Sequence, residues 1–217
     1  MTQEIINDVN KLVEIINGCE IDGEYKGYLA SPHLEVMVDL ILNNLDDSRE
    51  SLSYAYDTLI FIADRYMMIG RLSLSAIYNK KSLEVGLMLF DKYGKMIPHD
   101  IEKVYSKVLH DRNYYVDDDC EDILLMLKGK GIIDVETLLN IYNKRMKSRR
   151  TLKNDPIEMS DKYLEVIDEV EEMVDKNRKT RGMGSCHEMW ALKAKYLKEK
   201  GIIWRSLAIM NPRMRFD

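Results

Sequence analysis

The sequence predicts an all-α protein built as an irregular array of stacked antiparallel helices. Three observations carry that expectation. Only 4 prolines and 11 glycines punctuate the 217 residues, so long helix-compatible stretches run uninterrupted. Apolar residues recur at i, i+3, i+4 and i+7 in nearly every segment, and no segment shows the alternation of a half-buried strand. The breaks between segments carry cap chemistry, with Ser, Asp or Pro at starts and Gly at ends.

The first helix is expected from Thr2 to Asn17. Ser31-Pro32 reads as the opening of a second, with Leu34, Met37, Val38, Ile41 and Leu45 on one stripe and Pro32 at the first helical position. Asp46, Asp47 and Ser48 break it. A third helix over 49–69 aligns Leu52, Ala55, Leu59, Ile62 and Tyr66 and ends at Gly70; residues 71–92 resume the period through Leu74, Ile77, Tyr78, Leu83, Leu87 and Phe90. The two form an αα-hairpin. Pro98 starts a helix through Ile101, Val104, Tyr105 and Leu109, which turns at Arg112-Asn113. A short apolar helix, Ile123 to Leu127, follows Asp117-Asp118-Asp119 and closes at Gly129-Lys130-Gly131. Asp134 caps a helix through Leu138, Leu139, Tyr142 and Met146. Asp155-Pro156-Ile157-Glu158 supplies a cap, a first-position proline and a glutamate three residues on, opening a helix that runs to about Asn177. In Ser185-Cys186-His187-Glu188 the capping box S-x-x-E makes Ser185 the N-cap of the terminal helix, and Gly201 supplies its left-handed end.

The total is about nine helices. Their succession is of the α-solenoid or tetratricopeptide-like kind, but starts near 32, 49, 71, 99, 119, 135, 156 and 186 keep no constant period. One helical domain over 1–217 is expected, with 184–217 as a docked C-terminal helix plus an extended tail.

No stretch approaches eighteen uninterrupted apolar residues, and the opening MTQEIINDVNKL is acidic and amphipathic, unlike a basic leader. The three cysteines, Cys19, Cys120 and Cys186, are far apart and in no CxxC spacing. A cytoplasmic protein without a membrane partner is expected. Charge is polarised along the chain. Residues 1–140 hold 14 Lys and Arg against 25 Asp and Glu, whereas 141–217 hold 18 against 12. Within the second part, six cations from Lys144 to Lys153 precede nine acids in 154–175, and eleven cations follow in 176–217. Such blocks mark solvated faces, and here they predict basic C-terminal helices lying near acidic N-terminal ones or against a partner.

The most particular segment is Gly184 to Asp217, which holds both tryptophans. Trp190, Ala194 and Leu197 form one stripe and Met189, Leu192 and Tyr196 an adjoining one, with Lys193, Lys195, Lys198 and Lys200 mostly elsewhere. Trp190, Trp204, Arg205, Arg213 and Phe216 are the candidate partner-binding residues, because tryptophan and arginine are over-represented at interface hot spots. Cys186 and His187 are a possible reactive or ligand site at a helix start, where the dipole favours thiolate. As sequence neighbours they project about 100° apart on a helix, so a Cys–His dyad would need His33, His99 or His110 instead.

Cys186-His187-x-x-Trp190, Lys193, Leu197-Lys198-Glu199, Gly201-Ile202-x-Trp204-Arg205-Ser206 and Asn211-Pro212, ending in Phe216-Asp217, resembles the C-terminal segment of a group of uncharacterised bacterial helical proteins. That group is expected to carry proline after the serine, where this chain has Leu207. The resemblance implies only that the tail is a designed part of the protein and brings no activity with it.

The remaining motifs favour structure. Asp117 to Asp122 lacks the glycine and glutamate spacing of an EF-hand, and Arg145 to Arg150 lacks the interleaved aromatics of a nucleic-acid groove. No Walker loop, GxGxxG, HExxH or GxSxG is present, and no cofactor or metal is implied. The sequence therefore favours a protein–protein interaction or scaffold module over an enzyme. The alternatives are a thiol-dependent enzyme or redox sensor using Cys186, and nucleic-acid binding through the basic C-terminal blocks.

Overall fold

The structure is a computed structural model and describes residues 1–21, 24–94, 101–112, 121–146, 152–180 and 184–216. Its fold is all-α, and the described residues form eleven α-helices and one 3-10 turn. The Asp117–Asp119 run, Pro98, His99, Cys120 and most of the basic run after Met146 lie outside the described residues.

Helix α1 (Gln3–Asn17) starts as expected, with the Thr2 hydroxyl accepting from the Ile5 N–H. Two short strands, β1 (Glu20–Ile21) and β2 (Glu24–Tyr25), then pair antiparallel. Two-residue strands are too short to show alternation, so the residue pattern carries no sign of them. Helix α2 spans Gly27–Asn43, so Pro32 lies inside it and not at its first position. The proline takes one donor from the Tyr28 carbonyl. Burial of Ala30, Ser31 and Leu34 on the face toward the core offsets that loss.

Helices α3 (Arg49–Met68) and α4 (Leu72–Tyr93) form the expected hairpin. Ser48 caps the first. The reversal is a Schellman cap: Gly70 has φ 74°, its N–H bonds the Met67 carbonyl, and the Arg71 N–H bonds the Tyr66 carbonyl. Helix α5 (Ile101–Arg112) packs on α4; α6 (Glu121–Lys130) and α7 (Val135–Met146) complete this part. The Asp134 carboxylate accepts from the Thr137 N–H at 2.8 Å, as its position predicts. Helices α1 to α7 share one apolar cluster centred on Leu34, Leu59, Ile62, Leu83 and Leu109.

The single helix expected over 156–177 is broken in three: a 3-10 turn (Pro156–Met159), α8 (Asp161–Leu164) and α9 (Ile167–Asn177). Ser160 causes the first break. Its backbone is extended, its hydroxyl donates to the Ile157 carbonyl, and the same oxygen accepts from the Tyr163 N–H, so it ends one turn and caps the next. Helix α10 (Ser185–Glu199) is also capped differently from expectation, because Gly184, with φ 83°, is the N-cap and Ser185 is already helical. Glu188 makes no box with Ser185. It accepts instead from the N–H groups of Lys179 and Thr180, at 3.0 and 2.9 Å, and ties the preceding segment to the helix start. The other end agrees with the sequence: Gly201 has φ 74°, and the Gly201 and Ile202 N–H groups bond the Lys198 and Leu197 carbonyls. The tail departs from the expected extended form in two places: one helical turn, α11 (Leu207–Met210), capped by Ser206, and a tighter turn in which the Met214 N–H bonds the Asn211 carbonyl.

A second apolar cluster joins Tyr163, Ile167, Val170 and Val174 to Tyr196, Leu197, Ile202 and Trp204. Helix α9 packs back on α2, and the 156–159 turn touches α4. A one-dimensional helical stack makes no such contacts, and here they close the array on itself. Among the described residues no helix is long and apolar enough to cross a membrane.

Gly70→Ala places a Cβ in the left-handed region and is expected to lower unfolding stability by about 1–2 kcal/mol, read by urea denaturation. Space is not the obstacle, since no atom lies within 4 Å of the added Cβ.

Candidate functional site

Helix α9 carries Asp168, Glu171 and Asp175 at i, i+3 and i+7, which puts three carboxylates on one face. Cations from both halves of the chain converge on that face. Arg71, delivered by the Schellman turn, is only 3% exposed and forks between Glu171 (2.6 Å) and Asp168 (2.7 Å). Lys193 of α10 reaches Glu171 from the other side at 3.3 Å. Its ammonium sits 5.1 Å from the Trp204 ring centroid and 5.6 Å from that of Tyr163. Asp175 takes Lys26 (3.1 Å), Arg178 (2.9 Å) and the Tyr28 hydroxyl (3.1 Å).

Burial alone would raise the Glu171 carboxyl, but the charges of Arg71 and Lys193 outweigh it and hold the group below the ordinary carboxylate range. Burial likewise opposes the Lys193 ammonium, and nearby Tyr163 and Glu171 more than compensate. Both groups stay charged. A lysine held protonated is no nucleophile, so this cluster is arranged to bind and orient.

The tail is fastened by a second set of polar contacts. Trp204, 8% exposed, donates its indole N–H to Glu158 at 2.7 Å, and Asn154 donates to the other carboxylate oxygen at 3.1 Å. Asp155 both caps the Ile157 N–H and receives three bonds from Arg205, one from its backbone N–H and two from its guanidinium. Asn211 exchanges two hydrogen bonds with the Lys153 backbone.

Between these fastenings lies a half-open cleft of about 520 Å³. Met67, Met68, Tyr28, Met189, Trp190 and Leu207 supply its apolar walls, and Glu158, Glu171 and Lys193 its charged base. Trp190 stands at the rim in edge-to-face contact with His187 (5.3 Å) and Phe216 (5.2 Å). The His187 Nε2 donates to the Phe216 carbonyl at 3.0 Å, which places the ring's proton on that nitrogen when it is neutral.

The structure thus gathers Trp190, Trp204, His187 and Phe216 around one cleft and its rim, while Arg205 is taken up by Asp155. Arg213 is exposed and forms no ion pair among the described residues. Cys186 is a half-buried thiol in no disulfide on the first turn of α10, and His187 beside it is committed to Phe216. Of the other histidines, His33 lies on α2, and His110 on α5 bonds Asp111 at 3.1 Å.

Sequence reasoning missed Arg71, Glu171 and Lys193. For Lys193 the signal was present: it stands three residues after Trp190 and four before Leu197, on the stripe those residues define. The sequence reading placed it off that face, and the structure corrects this. Its head finds a carboxylate and two aromatic faces there. Arg71 has no local signal, because its partners are 97 and 100 residues away.

Arg71→Met leaves Glu171 short of its main counter-charge and is expected to cost about 3 kcal/mol. Hydrogen exchange should show protection lost first in α9 and α10; equal loss in α3 would contradict the assignment. A pH series gives a second check. At Asp155 and Asp175 burial again opposes the charged form and is outweighed, by Arg205 at one and by Lys26 and Tyr28 at the other, so both titrate low with Glu171. The unfolded chain therefore takes up these protons first as pH falls. The stabilisation is complete above the ordinary carboxylate range of about pH 4 and declines as pH drops through the lower folded values. Urea midpoints of Arg71→Met should fall less steeply in acid than those of the unaltered protein.

The chain matches no family model, no curated protein and no solved structure.

Proposed function

We propose that the protein is a cytoplasmic protein–protein interaction module that receives an apolar side chain of a partner polypeptide in the cleft beside α9. The methionine wall carries this reading. Met67, Met68 and Met189 are exposed at 39, 57 and 36% around a concavity that also presents Trp190. Methionine is unbranched and polarisable, so such a wall adapts to an incoming apolar group at little cost. Trp190 adds a flat aromatic anchor, and its contacts with His187 and Phe216 hold it in place. The charged base orients the segment, since Lys193 and Glu171 are fixed by each other and by Arg71. The C-terminal tail supports the site by fastening Trp204 and Leu207 against it.

Met68→Glu puts a carboxylate in the cleft mouth without touching a buried contact. Affinity capture from native lysate is expected to lose its specific partners with this variant, while circular dichroism and melting stay near those of the unaltered protein. Equal capture by both proteins would remove the cleft from the reading.

A further inference from the structure

A second cavity, of about 440 Å³, lies on the opposite side of Arg71 from the cleft. Its wall holds four carboxylates, Glu35, Asp161, Glu165 and Asp168, against the single cation Arg71. Only Asp168 is paired with that cation, at 2.7 Å; the carboxylates of Glu35, Asp161 and Glu165 form no hydrogen bond or ion pair among the described residues. Acidic side chains at a surface need no ligand by themselves. The independent observation is Tyr66. This residue is fully buried at 0% exposure, and its hydroxyl has no hydrogen-bond partner among the described residues. A buried unsatisfied hydroxyl costs about 1–3 kcal/mol, a cost that a polar occupant of the cavity can relieve.

Tyr66 lines the cavity, and its electrostatic neighbours lie there too. Besides burial, the groups that act on it electrostatically are Tyr78, Glu35, Asp168 and Arg71, all members of the cavity wall. The Tyr66 and Tyr78 rings stack with centroids 5.5 Å apart and planes 17° from parallel, which forms an aromatic panel beside the carboxylates. Partial desolvation, followed by the charges of Asp168 and Asp39, raises the Glu35 carboxyl. A positive occupant relieves that repulsion.

We propose that this cavity binds an organic ammonium group, with Glu35 as its counter-charge, the Tyr66 oxygen as a hydrogen-bond acceptor and Tyr78 as an aromatic wall. A bare divalent ion fits less well. Among the described residues no group of three His, Cys, Asp or Glu side chains is arranged to hold a metal, and the cavity is far larger than one ion. An ammonium on an alkyl stem uses all three elements, because its N–H groups suit carboxylate and phenol oxygens and its charge suits an aromatic face.

The ammonium has two possible sources, a free alkylamine or a lysine side chain of a polypeptide. Calorimetric titration of the intact protein with putrescine tests the first, and with acetyl-Gly-Lys-Gly-amide the second; n-butanol is the uncharged control. Saturable binding of either amine in the millimolar range or tighter, with none for butanol, is expected, and the tighter probe names the source. Glu35→Gln should weaken that binding about tenfold, as loss of a charge-assisted hydrogen bond does. Tyr66→Phe should weaken it severalfold while leaving the unliganded melting temperature unchanged or higher, since no existing hydrogen bond is removed. Absence of saturable binding by both amines overturns the proposal, as does binding indifferent to Glu35→Gln. A clear drop in melting temperature for Tyr66→Phe would show that the hydroxyl is already partnered, and overturns it equally.

Discussion

The fork of Arg71 on Glu171 and Asp168 is the interaction on which the rest of the architecture depends. The two apolar clusters share no buried member, so what joins them is the face of α9 with the cations that meet it, helped by the 156–159 turn against α4. A buried ion pair of this kind adds little net stability over well-packed apolar residues, yet breaking it strands a charge in a poor solvent. Its effect is to specify one orientation. Arg71 itself lines the cavity, whereas its neighbours Gly70 and Leu72 line the cleft, so the corner it occupies stands between the two.

The charge blocks of the sequence acquire a specific meaning in this arrangement. The expected pairing was of basic C-terminal helices with acidic N-terminal ones. Instead, the acidic block 154–175 is the common partner. From one side it receives Arg178, Lys193, Lys200 and Arg205, and from the other it receives Lys26 and Arg71 of the otherwise acidic N-terminal part. A helix with carboxylates on a single face can serve two sets of cations only if it lies between them, and α9 does.

How much of this was legible in the sequence depended on how local the deciding interaction was. The α3–α4 hairpin, its Gly70 cap, the Asp134 cap and the Gly201 end were readable because each is settled within a few residues. The start of α2, the breaks at Ser160 and Val166 and the Gly184 cap were not. In those places two adjacent signals competed, and packing or a distant hydrogen bond chose between them. The site divides similarly. Trp190, Trp204 and Phe216 stood out because a helix end does not need them, whereas Glu158 looked like half of a capping box until Trp204 claimed its carboxylate. Arg71 and Tyr66 could not have been found at all. One is defined by acids a hundred residues on, and the other by a partner its hydroxyl lacks.

The separation of 100 residues between Arg71 and Glu171 also sets an order of events during synthesis. At about 5–20 residues per second, the α3–α4 turn leaves the ribosome at least several seconds before its counter-charge exists. Until then the Arg71 guanidinium has neither Asp168 nor Glu171 to meet. The arginine is therefore in place first, and becomes the post on which the second half of the molecule is hung.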